Sequence, residues 1–245
     1  MSDSPMKPTA SAATRECLTA NLKESNLAKQ LSVADFTRAF FRNPLSDNDC
    51  ALCLPSNSSD LINKMARCSE KAAYEPTSKL LTGICDIYAG KYNVADDERL
   101  AFAVHSDHPP CHHPNSYTVA VATQKPDLVV TKRWLVRLYI TDANRWKVKK
   151  KSNKPALAWP ILCSLLEGKG SSDPDAHFQA ATYLGSLLLA RPDLIGCFGL
   201  SFDSASFRLI WCDVSAVYYT DKISWGSDQG RMLLVQYIHQ LHTTP

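Results

Sequence analysis

Two carboxylates and a lysine carry the most pointed chemistry in this chain. Asp127 follows Pro126 at the head of a short apolar run, Leu128-Val129-Val130, and Glu167-Gly168-Lys169 closes a second apolar run over residues 161–166. In a strand, residues two apart share a face, so Glu167 and Lys169 point to the same side. If the two runs are neighbouring strands, Asp127, Glu167 and Lys169 converge on one point. Asp127 and Glu167 are then the expected ligands of a Mg²⁺ ion, which takes one or two carboxylates and keeps several waters. Lys169 would orient a water or stabilise charge developing on a phosphate. Gln179 and Tyr183 lie four apart in the following helical segment, hence on one helix face.

These residues have to be held by elements whose pattern is readable along the chain. Residues 1–14 are mostly Ser, Pro, Thr and Ala and are expected to form a disordered tail. Residues 15–95 read as helical: apolar residues recur at helical spacing from Arg15 to Phe41, Asn43-Pro44 ends that stretch, a second runs from Ser59 to Cys68, and a third spans residues 80–88, between Pro76 and Gly90. Asp96-Asp97-Glu98 is acidic in the way the first turn of a helix favours. Beyond the Pro- and His-rich segment 105–115 the periodicity switches to two. Residues 117–121, 127–130 and 134–140 read as strands, and 161–166 as a buried central strand. Asp173-Pro174-Asp175 opens a helix with a cap and a proline at its first position, and that helix ends near Arg191-Pro192. Residues 197–202 and 207–212 form a hairpin, 214–219 a further strand and 232–241 a final helix. The expected fold is α/β (α+β), with a helical N-terminal part and a mixed-sheet core over residues 96–245.

Composition narrows the class without naming a ligand. Among 245 residues, 45% are hydrophobic and 21% charged, with a net charge of only +3, so a nucleic-acid or anionic-membrane surface has to be local. No apolar stretch reaches the ~18–20 residues that a membrane-spanning helix needs. Nine cysteines, an odd number at irregular spacing, fit reduced thiols better than a disulfide framework. A cytoplasmic or nuclear location is the expectation.

The ordered set Pro126-Asp127, Glu167-x-Lys169 and Gln179-x-x-x-Tyr183 resembles the PD-(D/E)XK, or restriction-endonuclease-like, nuclease superfamily, the last element being similar to its RecB-like branch. The resemblance covers residues from about 117 to 214. It implies Asp127 and Glu167 on a Mg²⁺ ion, Lys169 beside the attacking water, and Gln179 and Tyr183 on the substrate, with DNA or RNA phosphodiesters cleaved. It also implies an upstream carboxylate or histidine, for which Glu98 and His105 are candidates. A second resemblance spans roughly residues 95–242. Gln179 and Tyr183-Leu184-Gly185-Ser186 through Arg191-Pro192-Asp193, then Gly199-Leu200-Ser201-Phe202-Asp203 and Phe207-Arg208-Leu209-Ile210-Trp211-Cys212-Asp213-Val214-Ser215, look like the region preceding the kinase lobe in the fungal-type protein kinase family of basidiomycetes. Ala216 stands where a glycine is expected. The chain contains no Gly-x-Gly-x-x-Gly, no His-Arg-Asp and no Asp-Phe-Gly, so phosphotransfer from ATP is not expected of it. The second resemblance implies a regulatory or scaffolding module with a kinase lobe as partner, or a fragment of a longer protein, and this is the function expected here, with a Mg²⁺-dependent nuclease as the alternative.

Two further clusters invite weaker readings. Cys50-x-x-Cys53 with Cys111 and His112 would supply four ligands to a structural zinc ion, against the simpler reading of a solvated His-Pro loop. The basic stretch Arg145-Trp146-Lys147-Val148-Lys149-Lys150-Lys151 would contact nucleic-acid phosphates, with Trp146 stacked on a base, against the simpler reading of an exposed, solvated loop.

Overall fold

A computed structural model describes residues 21–22, 24, 27–105, 125–139, 157–170 and 175–243. The expected strand at 117–121, the helix cap at Asp173, the basic stretch 145–154, Cys111 and His112 lie outside the described residues.

The centre is a mixed sheet in the order β1-β7-β6-β5-β4-β3-β2, with β8 paired to β6. In chain order its strands are β1 (Ala28–Leu31), β2 (Leu100–Val104), β3 (Leu128–Lys132), β4 (Leu162–Gly168), β5 (Gly196–Phe202), β6 (Ser206–Asp213), β7 (Val217–Thr220) and β8 (Ile223–Ser224). The β4–β5 and β1–β7 pairs are parallel, and the others are antiparallel. The α/β class is therefore as expected.

Strand alternation sends side chains into two cores. On one face Leu128, Val130, Leu166, Leu200 and Leu209 pack under α1 (Val33–Phe40), α2 (Asp47–Leu52), α3 (Ser58–Ala66), α4 (Glu70–Lys91) and, from the C-terminal end, α7 (Asp228–Thr243). On the other, Val129, Leu165, Cys197, Ile210 and Val217 meet Val136 of α5 (Arg133–Tyr139) and Ala181, Leu184 and Leu187 of α6 (Ala176–Ala190). The arrangement is helix, sheet, helix, the standard way to bury both faces of a sheet.

Polar pairing ties the helices down. Ser78 Oγ on α4 donates to the Phe102 carbonyl at 2.5 Å, and Thr82 Oγ1 accepts from the Phe102 N–H at 3.0 Å. Two side chains thus satisfy the backbone of β2, the last strand in the sheet order, where a ladder partner would otherwise be needed. On α7, Gln240 and Gln236 hold the backbone of Arg42 and Leu45 through paired donor and acceptor contacts of 2.7–2.9 Å, fixing the turn between α1 and α2.

Several local expectations are corrected. Residues 28–31 lie in the stretch read as helical but form β1, because Val217 N–H donates to the Leu27 carbonyl and the two segments pair in parallel; a distant partner outweighs local periodicity. Pro76 sits inside α4, whose buried residues Tyr74, Leu80, Leu81 and Ile84 hold the helix on both sides of the missing donor. Asp96-Asp97-Glu98 does not open a helix: Asp96 pairs with Arg99, Glu98 with Lys132, and the chain enters β2. Residues 133–139 are helix rather than strand, with Val136 buried and Trp134 48% exposed. A short apolar run fits either period, and here the helical one prevails. The strand expected from Val214, β7, begins at Val217, because Asp213 Oδ1 accepts the N–H groups of Ser215 and Ala216 and forms a turn.

Candidate active site

Leu128 pairs with Leu166 in the antiparallel β3–β4 ladder, so the next step of the register sets Asp127 opposite Glu167 at the end of both strands. Val129 and Leu165, two residues inward, face α6, and alternation puts the two carboxyl groups on that same face. Lys169 Nζ lies 2.9 Å from Glu167 Oε1, as the two-residue spacing requires. Asp127 Oδ2 accepts the Gly168 N–H at 2.9 Å. The structure brings Asp127, Glu167 and Lys169 together.

Gly168, the middle residue of the Glu-x-Lys motif, faces the other way. A Cβ there would lie 2.6 Å from Tyr74 Cε1 and 2.9 Å from Phe202 Cζ, so only glycine admits this approach. Tyr74 and Glu70, one turn apart on α4, close the site from that side. The Tyr74 hydroxyl donates to Glu70 Oε1 at 3.0 Å and lies within hydrogen-bonding reach of the Asp127 carboxyl. Glu70 Oε2 accepts the Gly170 N–H at 3.0 Å, which anchors the chain just after the motif.

Burial sets the electrostatics. Asp127 is 9% exposed and Glu167 1%. Loss of solvent raises the Asp127 carboxyl to about 6, opposed by the Gly168 N–H, Tyr74 and Lys169. Burial, followed by the negative charge of Asp127, pushes Glu167 well above the carboxylate range, and Lys169 only partly offsets it. Burial works against the charge of Lys169, but Glu167, Asp127 and Glu70 outweigh it and raise its ammonium above the ordinary lysine value. Without a cation the pair favours holding a proton. Glu167 Oε2 is buried and meets no donor other than a proton shared with Asp127.

That oxygen, facing Asp127 across the ladder, fits a divalent cation: Asp127 and Glu167 would hold it, with waters completing its shell. Among the described residues no group of three or more His, Cys, Asp or Glu side chains is placed to hold a metal ion.

Gln179 and Tyr183 share a face of α6, and Gln179 Nε2 donates to the Tyr183 hydroxyl at 2.7 Å. Tyr183 is buried in the cluster that contains Val129 and Leu165, the inward neighbours of the carboxylates.

No family model and no curated protein matches this chain.

The upstream candidates divide. Glu98 is held by Lys132, at the end of β3 remote from Asp127, and does not belong to the site. His105 is fully buried, and its N–H donates to the Asp127 carbonyl at 2.8 Å, so its backbone borders the site. The acidic group that α4 does supply is Glu70. Glu70 and Tyr74 show the same four-residue helical spacing as Gln179 and Tyr183, but nothing in their local pattern directs them toward Asp127. Cys50 and Cys53 are free, buried thiols that burial raises, Cys50 to about 11, with the neighbouring thiol next among its causes.

Proposed function

We propose that this chain carries a Mg²⁺-dependent phosphodiesterase site of the PD-(D/E)XK type, acting on DNA or RNA. The observation that carries this reading is the pairing of Asp127 with Glu167 across β3–β4, with Lys169 on one oxygen of Glu167 and no donor on the other but the proton shared with Asp127. A divalent cation held by these carboxylates would supply Lewis acidity toward a phosphoryl oxygen. Lys169, charged and partly sheltered, stabilises negative charge as water attacks phosphorus and the bond to the leaving oxygen breaks. Asp127, held by the Gly168 N–H, keeps its orientation while the proton it shares with Glu167 gives way to a cation. Gln179, held by the buried Tyr183 hydroxyl, would offer its amide to a substrate.

The pre-kinase reading has one structural observation in its favour: Glu167 is almost wholly buried and already neutralised by Lys169. In that reading the core scaffolds or regulates a kinase lobe and the carboxylate pair stabilises the sheet edge.

The deciding experiment incubates purified protein with Mg²⁺ or Mn²⁺ and single- or double-stranded DNA or RNA, beside Glu167→Gln and Lys169→Ala. Cleavage by the wild type alone supports the phosphodiesterase reading. Equal background cleavage by all three proteins overturns it and leaves the regulatory module.

A further inference from the structure

The sheet carries the polar row of the active site further than the carboxylates. Glu167 pairs with Ser201 on β5, and Ser201 with Arg208 on β6. Side chains directly opposite one another in a sheet share a face, and the inward neighbours Cys197 and Ile210 lie under α6. Asp127, Glu167, Ser201 and Arg208 therefore form one line across four strands, all on the α6 side. With strands roughly 4.8 Å apart, Arg208 starts about 10 Å from Glu167, within reach of a long side chain and a bound group between them.

A small cleft, about 20 Å³ inside and open to solvent, lies along this row, lined by Lys169, His177, Ser201, Arg208 and Lys222 among others. Its cations are not equivalent. Lys169 is paired with Glu167 and Lys222 with Asp203, at 2.9 and 2.8 Å. Arg208 meets no carboxylate among the described residues: Nη1 donates to the Thr220 carbonyl at 2.7 Å, and the guanidinium lies 5.7 Å from the centre of the Tyr219 ring. The same Tyr219 ring packs on His177, centroids 4.2 Å apart, so one aromatic residue holds both basic side chains at the cleft. A guanidinium held by one carbonyl and one ring face, with no further partner among the described residues, is suited to take an oxyanion through a two-point contact.

We propose that the cleft headed by Arg208 is a phosphate subsite, binding a nucleic-acid phosphate next to the one that reaches Asp127 and Glu167. The inference rests on the phosphodiesterase reading for its choice of nucleic acid. Arg208 is a positioning residue here, gripping the substrate backbone rather than entering the bond-breaking step.

The test uses 12-nucleotide single-stranded DNA and RNA probes in fluorescence anisotropy across a salt series, without divalent cation, on the full chain. Wild type and Glu167→Gln should bind alike. Arg208→Met should weaken binding at least tenfold and lower the slope of log affinity against log salt by about 0.7, the loss of one phosphate contact on a single strand. Arg208→Lys should restore part of the affinity, and Lys64→Met, an exposed charge on α3, should change neither quantity. In cleavage assays Arg208→Met should raise KM with kcat within threefold, whereas Glu167→Gln should abolish kcat. Unchanged affinity and salt slope in Arg208→Met, or no binding of either probe by wild type, overturns the subsite. Arg208-dependent binding without any cleavage upholds the subsite and rejects the phosphodiesterase reading. If Arg208→Met does not fold, Arg208→Lys carries the test, and affinity equal to wild type overturns the proposal.

Discussion

Asp127 and Glu167 lie opposite one another one step beyond the last pair of the β3–β4 ladder, Leu128 with Leu166, two buried acids at the strand ends with Lys169 paired to Glu167. Both carboxyls titrate above their unfolded values, Asp127 near 6. The folded state therefore holds protons that the unfolded chain has released. The stability this lends is complete below about pH 4 and is lost as pH rises through 6 and on through the higher titration of Glu167. Urea midpoints measured in EDTA from pH 5 to 8 should fall for wild type and fall less for Glu167→Gln. Parallel profiles for the two proteins would count against the shared-proton pair.

A cation that replaces that proton should stabilise the fold. Mn²⁺ or Mg²⁺ at a hundredfold excess over its Kd adds about 2.7 kcal/mol. Thermal unfolding near pH 7.5 should shift upward by several degrees for wild type, and by nothing for Asp127→Asn or Glu167→Gln. An equal shift in all three would place the ion elsewhere.

Gly168→Ala puts a methyl group against Tyr74 and Phe202 at contact distances that real side chains do not tolerate. The expected loss is about 1–3 kcal/mol by urea denaturation. The double variant Gly168→Ala with Tyr74→Leu should recover part of it, since the aromatic ring is half of the clash. Additive losses would mean that Tyr74 is not the obstacle.

Thr82→Val keeps the shape of the side chain but removes the acceptor for the Phe102 N–H on β2. Leaving that buried donor unpaired should cost about 1–3 kcal/mol. Faster hydrogen exchange at Phe102 would locate the effect, and unchanged exchange there would contradict the edge-capping role of α4.

How much of this was legible in the sequence depended on whether the deciding interaction was local. Glu167 and Lys169 were bound to share a face once residues 161–166 were read as a strand, and Gln179 and Tyr183 once their segment was read as a helix, because each statement needs only the period of one element. The hairpin of β5 and β6 was visible for the same reason. Residues 28–31 and 133–139 were not: the first became a strand by pairing with β7, and the second is too short for its apolar pattern to choose a period. Glu70, Tyr74 and Arg208 gave no local signal, since a helix pair and a lone arginine in an apolar strand are common in any sheet protein. Which residues meet Asp127 was decided by the strand order and the one-residue register of β3, β4, β5 and β6. That register is set by burial of alternate side chains on both faces, summed over the whole sheet, and a slip of one position would turn every member of the row away from α6.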